Sequence, residues 1–291
     1  MNPEHQRIIE LFGLVPPSVE TESEAEEHES VGRDSDESVD LGDQSLREGD
    51  FRGAVEHYQR ALRQSDGHEA APLIGMGSAY ECMEDAPSAL RQYLKAHELE
   101  QDNPEPYLGM SDIYMRQGKT WEAIQQLERA VELDPKNPFY HLKLAETLRQ
   151  MHLPTRALRA IRQAVLCAPD QSFYHYWMGD LQIEMRLYEE ALLSLRASIE
   201  LSPGDDHLYA KAGVAFWGAG KRVEAIKAIR LASDLDPDKN VYYGILQRFL
   251  IENGQPVEAQ AEAARAAKMD AYDRELLDRM LREANFEPTA N

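Results

Sequence analysis

The sequence predicts an all-α fold, an α-solenoid made by stacking one helix pair on the next, and three ladders of residues predict it. Alanines at Ala89, Ala123, Ala157, Ala191, Ala225 and Ala259 recur every 34 residues. Pro135, Pro169, Pro203 and Pro237 keep the same interval, as do Ala96, Ala130, Ala164, Ser198, Ala232 and Ala266. Periods of this size mark stacked supersecondary units, each exposing an apolar face until a neighbour covers it. The chain is therefore expected to build a long, quasi-one-dimensional body whose function lies along an extended surface.

Counting back from Pro135 divides the chain into repeats 35-68, 70-103, 104-137, 138-171, 172-205, 206-239 and 240-273. The first step, from Ala54 to Ala89, is one residue longer, which places an insertion near Ser65-Asp66-Gly67-His68. Each repeat reads as two short amphipathic helices. In repeat 104-137, Tyr107, Met110, Ser111 and Tyr114 fall at i, i+3, i+4 and i+7, one helical face. Gly118 breaks that run, and Gly49, Gly220 and Gly254 hold the same place in their repeats. Ala123, Ile124, Leu127, Ala130 and Val131 form the second face before Asp134-Pro135 stops it. Antiparallel helices joined by a short turn approach closely only where side chains are small, which explains these alanines and Gly77, Gly179 and Gly213.

Residues 274-286 read as one more amphipathic helix, with Leu276, Leu277, Met280 and Leu281 on one face and Asp273 as N-cap. It suits the solvating cap that the end of a solenoid requires, with the tail running to residue 291. At the other end, residues 18-34 are acidic and Ser-rich and are expected to form a disordered linker. Residues 1-17 form a short amphipathic segment with Ile8, Leu11, Phe12 and Val15 on one face, ended by Pro16-Pro17. So short a helix needs a surface to dock on. That surface is the first repeat or the chain's own groove, a neighbouring copy, or another protein.

The formal net charge of -21 argues against nucleic acid or an anionic membrane as partner. No apolar run approaches the ~20 residues that span a bilayer, so no membrane insertion is expected. The N-terminus makes a poor signal peptide, so a cytoplasmic location is expected. Cys82 and Cys167 lie two repeats apart and are expected to be reduced thiols.

Together these features resemble the tetratricopeptide repeat. Its pattern of a large residue, Leu-Gly, Tyr, then Ala, aromatic, Ala and Pro is met by Leu73, Met76-Gly77, Tyr80, Ala89, Tyr93 and Ala96, where only the proline is missing. It is met again by Tyr209, Ala212-Gly213, Phe216, Ala225, Ile229, Ala232 and Pro237. His141 and His175 stand where Trp or Tyr is usual, Gln182 replaces the first-helix aromatic, and Ala271 replaces the last proline. The first repeat fits least, with Ser38 and Ser45 at normally bulky positions.

The resemblance implies a right-handed superhelix of about seven repeats whose concave wall is made by the first helix of each repeat. Positions facing that groove would be Phe139, Leu142, Glu146 and Arg149, then Phe173, Tyr176, Asp180 and Ile183, then His207, Ala210, Val214 and Trp217. An aromatic and aliphatic strip with acid on its floor suits an apolar helix or extended peptide. Packing between adjacent repeats is the competing role for some of these residues. The Lys and Asn with which some relatives clamp acidic C-terminal tails are absent: positions 5 and 9 read Ile74/Ser78, Leu108/Asp112 and Tyr176/Asp180.

On the second helices Arg162, Arg196 and Arg230 repeat at the same interval, joined by Arg159 and Lys227. They predict a convex basic stripe, either a solvated face or a surface for acidic chain. No phosphate-cradling Gly loop, nucleophile elbow or metal-ligand spacing occurs, so no catalytic residue, metal or cofactor is expected. A catalytic or DNA-binding domain would need more chain than residues 1-34 or 274-291 supply. The expected function is a non-enzymatic scaffold or adaptor for a protein or peptide partner, with self-association through residues 1-17 as the alternative.

Overall fold

The computed structural model describes residues 34-65, 69-267 and 274-286. These carry fifteen α-helices and no strand, an all-α helical repeat. They divide into two compact bodies, the first reaching Ala160 and the second beginning at Ile161. The N-terminal body holds α1 (Asp34–Glu48), α2 (Phe51–Gln64), α3 (Ala71–Cys82), α4 (Ala86–Leu99), α5 (Glu105–Arg116), α6 (Thr120–Leu133), α7 (Pro138–Gln150) and the start of α8 (Pro154–Cys167). The C-terminal body holds the rest of α8, then α9 (Ser172–Glu184), α10 (Tyr188–Leu201), α11 (Asp206–Gly218), α12 (Arg222–Leu235), α13 (Asn240–Glu252), α14 (Pro256–Ala266) and α15 (Arg274–Glu283).

From α1 to α7 and from α9 to α14 each helix packs on the next, and α1 also touches α3, α3 touches α5, and α9 touches α11. The spacing of these layers follows from the small residues. Ala54, Ala89, Ala123, Ala157, Ala191 and Ala225 are wholly buried. Larger side chains from the even-numbered helices fill what remains. Tyr58 on α2 lies against Gly42 on α1 and Gly75 on α3, and Tyr93 on α4 lies against Gly77 on α3 and Gly109 on α5. A Cβ at any of these glycines would enter the tyrosine ring. In the C-terminal body the same roles fall to Leu195 against Gly179 and Ile229 against Gly213.

The turn inside each helix pair needs one left-handed residue. Gly49, Gly118, Gly220 and Gly254 take φ of 81°, 73°, 78° and 75°, whereas Glu84, His152 and Arg186 hold the same place at 59°, 55° and 58°. The pattern at Gly118 shows why: its N–H donates to the Met115 carbonyl at 3.0 Å, and the next N–H, of Lys119, reaches back to Tyr114 at 2.9 Å. This closure satisfies the carbonyls that a helix end leaves open.

His141 and His175 also acquire a structural role. Each donates from Nε2 to a proline carbonyl six residues earlier, Pro135 and Pro169, at 2.8 Å. Tyr209 and Tyr243 donate to Pro203 and Pro237 from the same repeat position, at 3.1 and 3.2 Å. Histidine therefore replaces the aromatic without losing the bond that ties each new helix to the preceding loop. Ser38 is buried with its hydroxyl donating to Gln64 Oε1 at 2.7 Å, so the first helix pair holds a polar contact where a bulky residue is usual.

The segment 1-17 with Ile8, Leu11, Phe12 and Val15, the linker up to residue 33, the insertion at Asp66-Gly67-His68, and Asp273 lie outside the described residues. Asp34, placed by its sequence at the end of the linker, begins α1.

A left-handed non-glycine residue costs about 1–2 kcal/mol, partly returned by the greater unfolded-state freedom of glycine. Arg186→Gly should therefore raise stability by about 0.5–1 kcal/mol, read as a higher denaturant midpoint, and Gly220→Ala should lower it. An unchanged or lower midpoint for Arg186→Gly would contradict the turn geometry.

Candidate functional site

Each body has its own cleft along its odd-numbered helices. In the N-terminal body α3, α5 and α7 line a depression of about 540 Å³, with Ile74, Leu108 and Phe139 as apolar walls and Glu81, Asp112 and Arg116 as charged groups. Tyr93 reaches in from α4 and donates its hydroxyl to Glu81 Oε1 at 2.7 Å. Arg116 Nη2 meets the other carboxylate oxygen at 2.9 Å, so Glu81 is doubly held. Burial raises the Glu81 carboxyl above its ordinary value, against the pull of Tyr93 and Arg116 in the other direction.

Of the groove residues expected in this body, Phe139 is 41% exposed and lines the cleft. Leu142 is buried, a packing residue and not an open groove position. Glu146 and Arg149 are half-buried. The Glu146 carboxyl is raised by burial, with Lys143 Nζ at 3.9 Å opposing the shift.

In the C-terminal body a cleft of about 500 Å³ brings together Phe173, Tyr176 and His207, with Leu201, Asp170 and Asp205 at its edges. The Tyr176 hydroxyl and His207 Nε2 share a hydrogen bond of 3.0 Å. Asp205 accepts from the His207 backbone N–H at 2.9 Å, fixing the start of α11. Burial, then the Lys211 charge, hold His207 below the ordinary histidine value despite Asp205, Asp180 and Asp206.

The other groove residues expected here do not face an open surface. Asp180 is buried in a charge triad: Lys211 Nζ lies 2.5 Å from Asp180 Oδ1 and 2.7 Å from Glu283 Oε2. Burial alone would lower the Lys211 ammonium, but the two carboxylates outweigh it and raise it. Ile183, Ala210, Val214 and Trp217 are buried as well. The physical cause at α11 is α15, which lies against both α11 and α13.

Leu277, Met280, Leu281 and Ala284 are buried in the same core as Val214 and Phe249. Trp217 stacks on Phe249 with centroids 3.9 Å apart, Phe286 lies 5.9 Å away, and the Arg222 guanidinium sits 4.4 Å over the indole. The Tyr188 hydroxyl donates to the Glu283 carbonyl at 3.1 Å, pinning the end of α15. The expected strip through Ala210, Val214 and Trp217 is thus corrected: the chain's own C-terminal residues cover it.

The basic residues of the even-numbered helices are exposed or nearly so, but acids interleave with them. Arg196 pairs with Glu200 at 2.8 Å and Arg230 with Glu258 at 2.5 Å. Arg162 and Lys227 are exposed in the C-terminal body, and Arg159 is exposed in the N-terminal one. Among the described residues no group of His, Cys, Asp and Glu could hold a metal ion, and no helix is long and apolar enough to cross a membrane.

Sequence reasoning missed the cleft of α3 and α5, although Ile74, Leu108 and Asp112 occupy the positions it used elsewhere. The shared register of Ile74, Leu108 and Leu142 was the available signal.

Two family profiles match the chain, "TPR repeat" over residues 111–151 and "Tetratricopeptide repeat" over residues 142–206. No curated protein matches it in sequence. Among solved structures, the C-terminal part of a TPR repeat-containing protein from Cytophaga hutchinsonii aligns with TM-score 0.68 at 14% identity, covering 82% of this chain and 98% of that one. PilF of Pseudomonas aeruginosa aligns with TM-score 0.59 at 19% identity, over 75% of this chain and 97% of its own. YrrB, described as a TPR protein with an unusual peptide-binding site, aligns with TM-score 0.54 at 24% identity, over 63% and 94%. At these identities the likeness is one of fold.

Removing the buried cation leaves Asp180 and Glu283 facing each other, so Lys211→Met should cost about 3–5 kcal/mol in chemical denaturation. His207 adds a pH dependence. Its folded value lies below its unfolded one, so its contribution is present above ~6.5 and is lost as pH falls below that. The denaturant midpoint should drop between about pH 7.5 and about pH 5.5, and by less in His207→Gln; equal drops in both proteins would refute the assignment.

Proposed function

Because this chain is a tetratricopeptide-repeat protein, we propose that it is a non-enzymatic scaffold or adaptor that holds a segment of a partner protein against its odd-numbered helices. One observation carries the reading. In each body those helices line a cleft in which an exposed aromatic, Phe139 or Phe173, stands beside polar groups already fixed by hydrogen bonds. Such a surface offers large apolar area at small ordering cost together with directional polar contacts, the combination that captures peptides.

The likeness of fold to YrrB, with its peptide-binding site, supports the same reading. With this reading goes a reducing, cytoplasmic setting, in which Cys82 and Cys167 would stay as thiols. Of the basic residues on the even-numbered helices, Arg196 and Arg230 already pair with acids of their own body.

The test is selection of a random peptide library, displayed on phage, on the full chain. Recovered peptides should lose affinity at least tenfold on Phe139→Asp or on the double variant Phe173→Asp, Tyr176→Ala, while circular dichroism and melting stay unchanged. Recovery of no peptide, or binding indifferent to both variants, would overturn the proposal.

A further inference from the structure

The two bodies differ in what meets the acid at the ninth position of the repeat. In the C-terminal body that acid is Asp180, and the chain supplies its cation, Lys211, at 2.5 Å. In the N-terminal body the acids at this position are Asp43 on α1, which accepts from the Tyr58 hydroxyl at 2.6 Å, Asp112 on α5 and Glu146 on α7. Lys143 stands in the register of Lys211, but its ammonium lies 5.6 Å from the Phe139 ring centroid and 3.9 Å from Glu146. Among the described residues Asp112 has neither an ion pair nor a hydrogen bond. Arg116, the guanidinium lining this cleft, is held by Glu81.

The cleft is thus lined by Glu81, Glu105 and Asp112 against one guanidinium, next to Ile74, Leu108 and Phe139. The Asp112 charge adds to the burial that raises both Glu81 on α3 and Glu146 on α7, while Lys143 and Arg149 oppose it at Glu146. From this charge imbalance we propose that the cleft of the N-terminal body takes a partner segment bearing a Lys or Arg beside an apolar side chain. The basic group pairs with Asp112, and the apolar neighbour rests on Leu108 and Phe139.

The proposal rests on the reading of this cleft as a peptide groove and names the chemistry of its ligand. An acidic segment, or one with no donor in reach of Asp112, would strip water from that carboxylate without replacing it, which disfavours binding. A cation restores the lost partner with a charge-assisted hydrogen bond. Lys211 performs the same service for Asp180 from within the chain.

Peptides recovered by phage selection on the full chain should be enriched in Lys or Arg next to Leu, Ile or Phe. A fluorescein-labelled synthetic copy of one of them, titrated by anisotropy, should bind at least tenfold more weakly when its basic residue is Gln. Asp112→Asn should weaken the basic peptide at least tenfold and leave the Gln version unchanged, and Asp112→Lys should favour a Glu version. Affinity should also fall as salt rises. Peptides that bind in the groove, lose affinity on Phe139→Asp, yet show no basic enrichment or no response to Asp112→Asn would overturn this proposal and leave the groove standing. Recovery of no peptide would overturn both.

Discussion

Close approach between helices is the constraint on which the rest depends. Wholly buried alanines set the distance inside each pair, and glycines beside Tyr58 and Tyr93 let one aromatic ring fill the space between successive odd-numbered helices. Interiors packed this tightly tolerate neither a void nor an added methyl group. The position of every first helix, and so the lining of each cleft, follows from that fit. The bonds from His141, His175, Tyr209 and Tyr243 to loop prolines then tie each helix pair to the loop before it.

A repeat leaves its last apolar face uncovered, and α15 resolves this in a particular way. Its side chains Leu277, Met280 and Leu281 enter the core formed by α11 and α13, while Glu283 reaches Lys211. A helix that closes the array thereby also occupies a stretch of first-helix surface. Trp217, large and aromatic, becomes a core residue stacked on Phe249. The two bodies consequently present different surfaces: an acidic and aromatic cleft on α3, α5 and α7, and an aromatic and histidine-bearing cleft on α9 and α11.

The register read from the alanine ladder sorted much of the chain correctly. Gly49, Gly118, Gly220 and Gly254 were legible as turns because only glycine takes a left-handed turn at little cost, and all four have positive φ. Glu84, His152 and Arg186 were not legible as left-handed, since nothing in their side chains announces it. Of the residues placed on one face by the register, Phe139, Phe173, Tyr176 and His207 line clefts, whereas Leu142, Ile183, Ala210, Val214 and Trp217 are buried. Facing along one helix is set by its own period, but exposure depends on what other segments lie across that face.

By itself, then, the sequence determined the all-α repeat, its interval, its turns and its small-residue contacts, because these repeat in every copy and act over a few residues. Tertiary structure alone decided which parts of the first-helix surface stay open and which acids find cations. Lys211 meets Asp180 and Glu283, 31 residues before and 72 residues after it, and Asp112 meets none among the described residues. Such pairings join segments distant in sequence whose approach depends on packing, and no local pattern of residues encodes them.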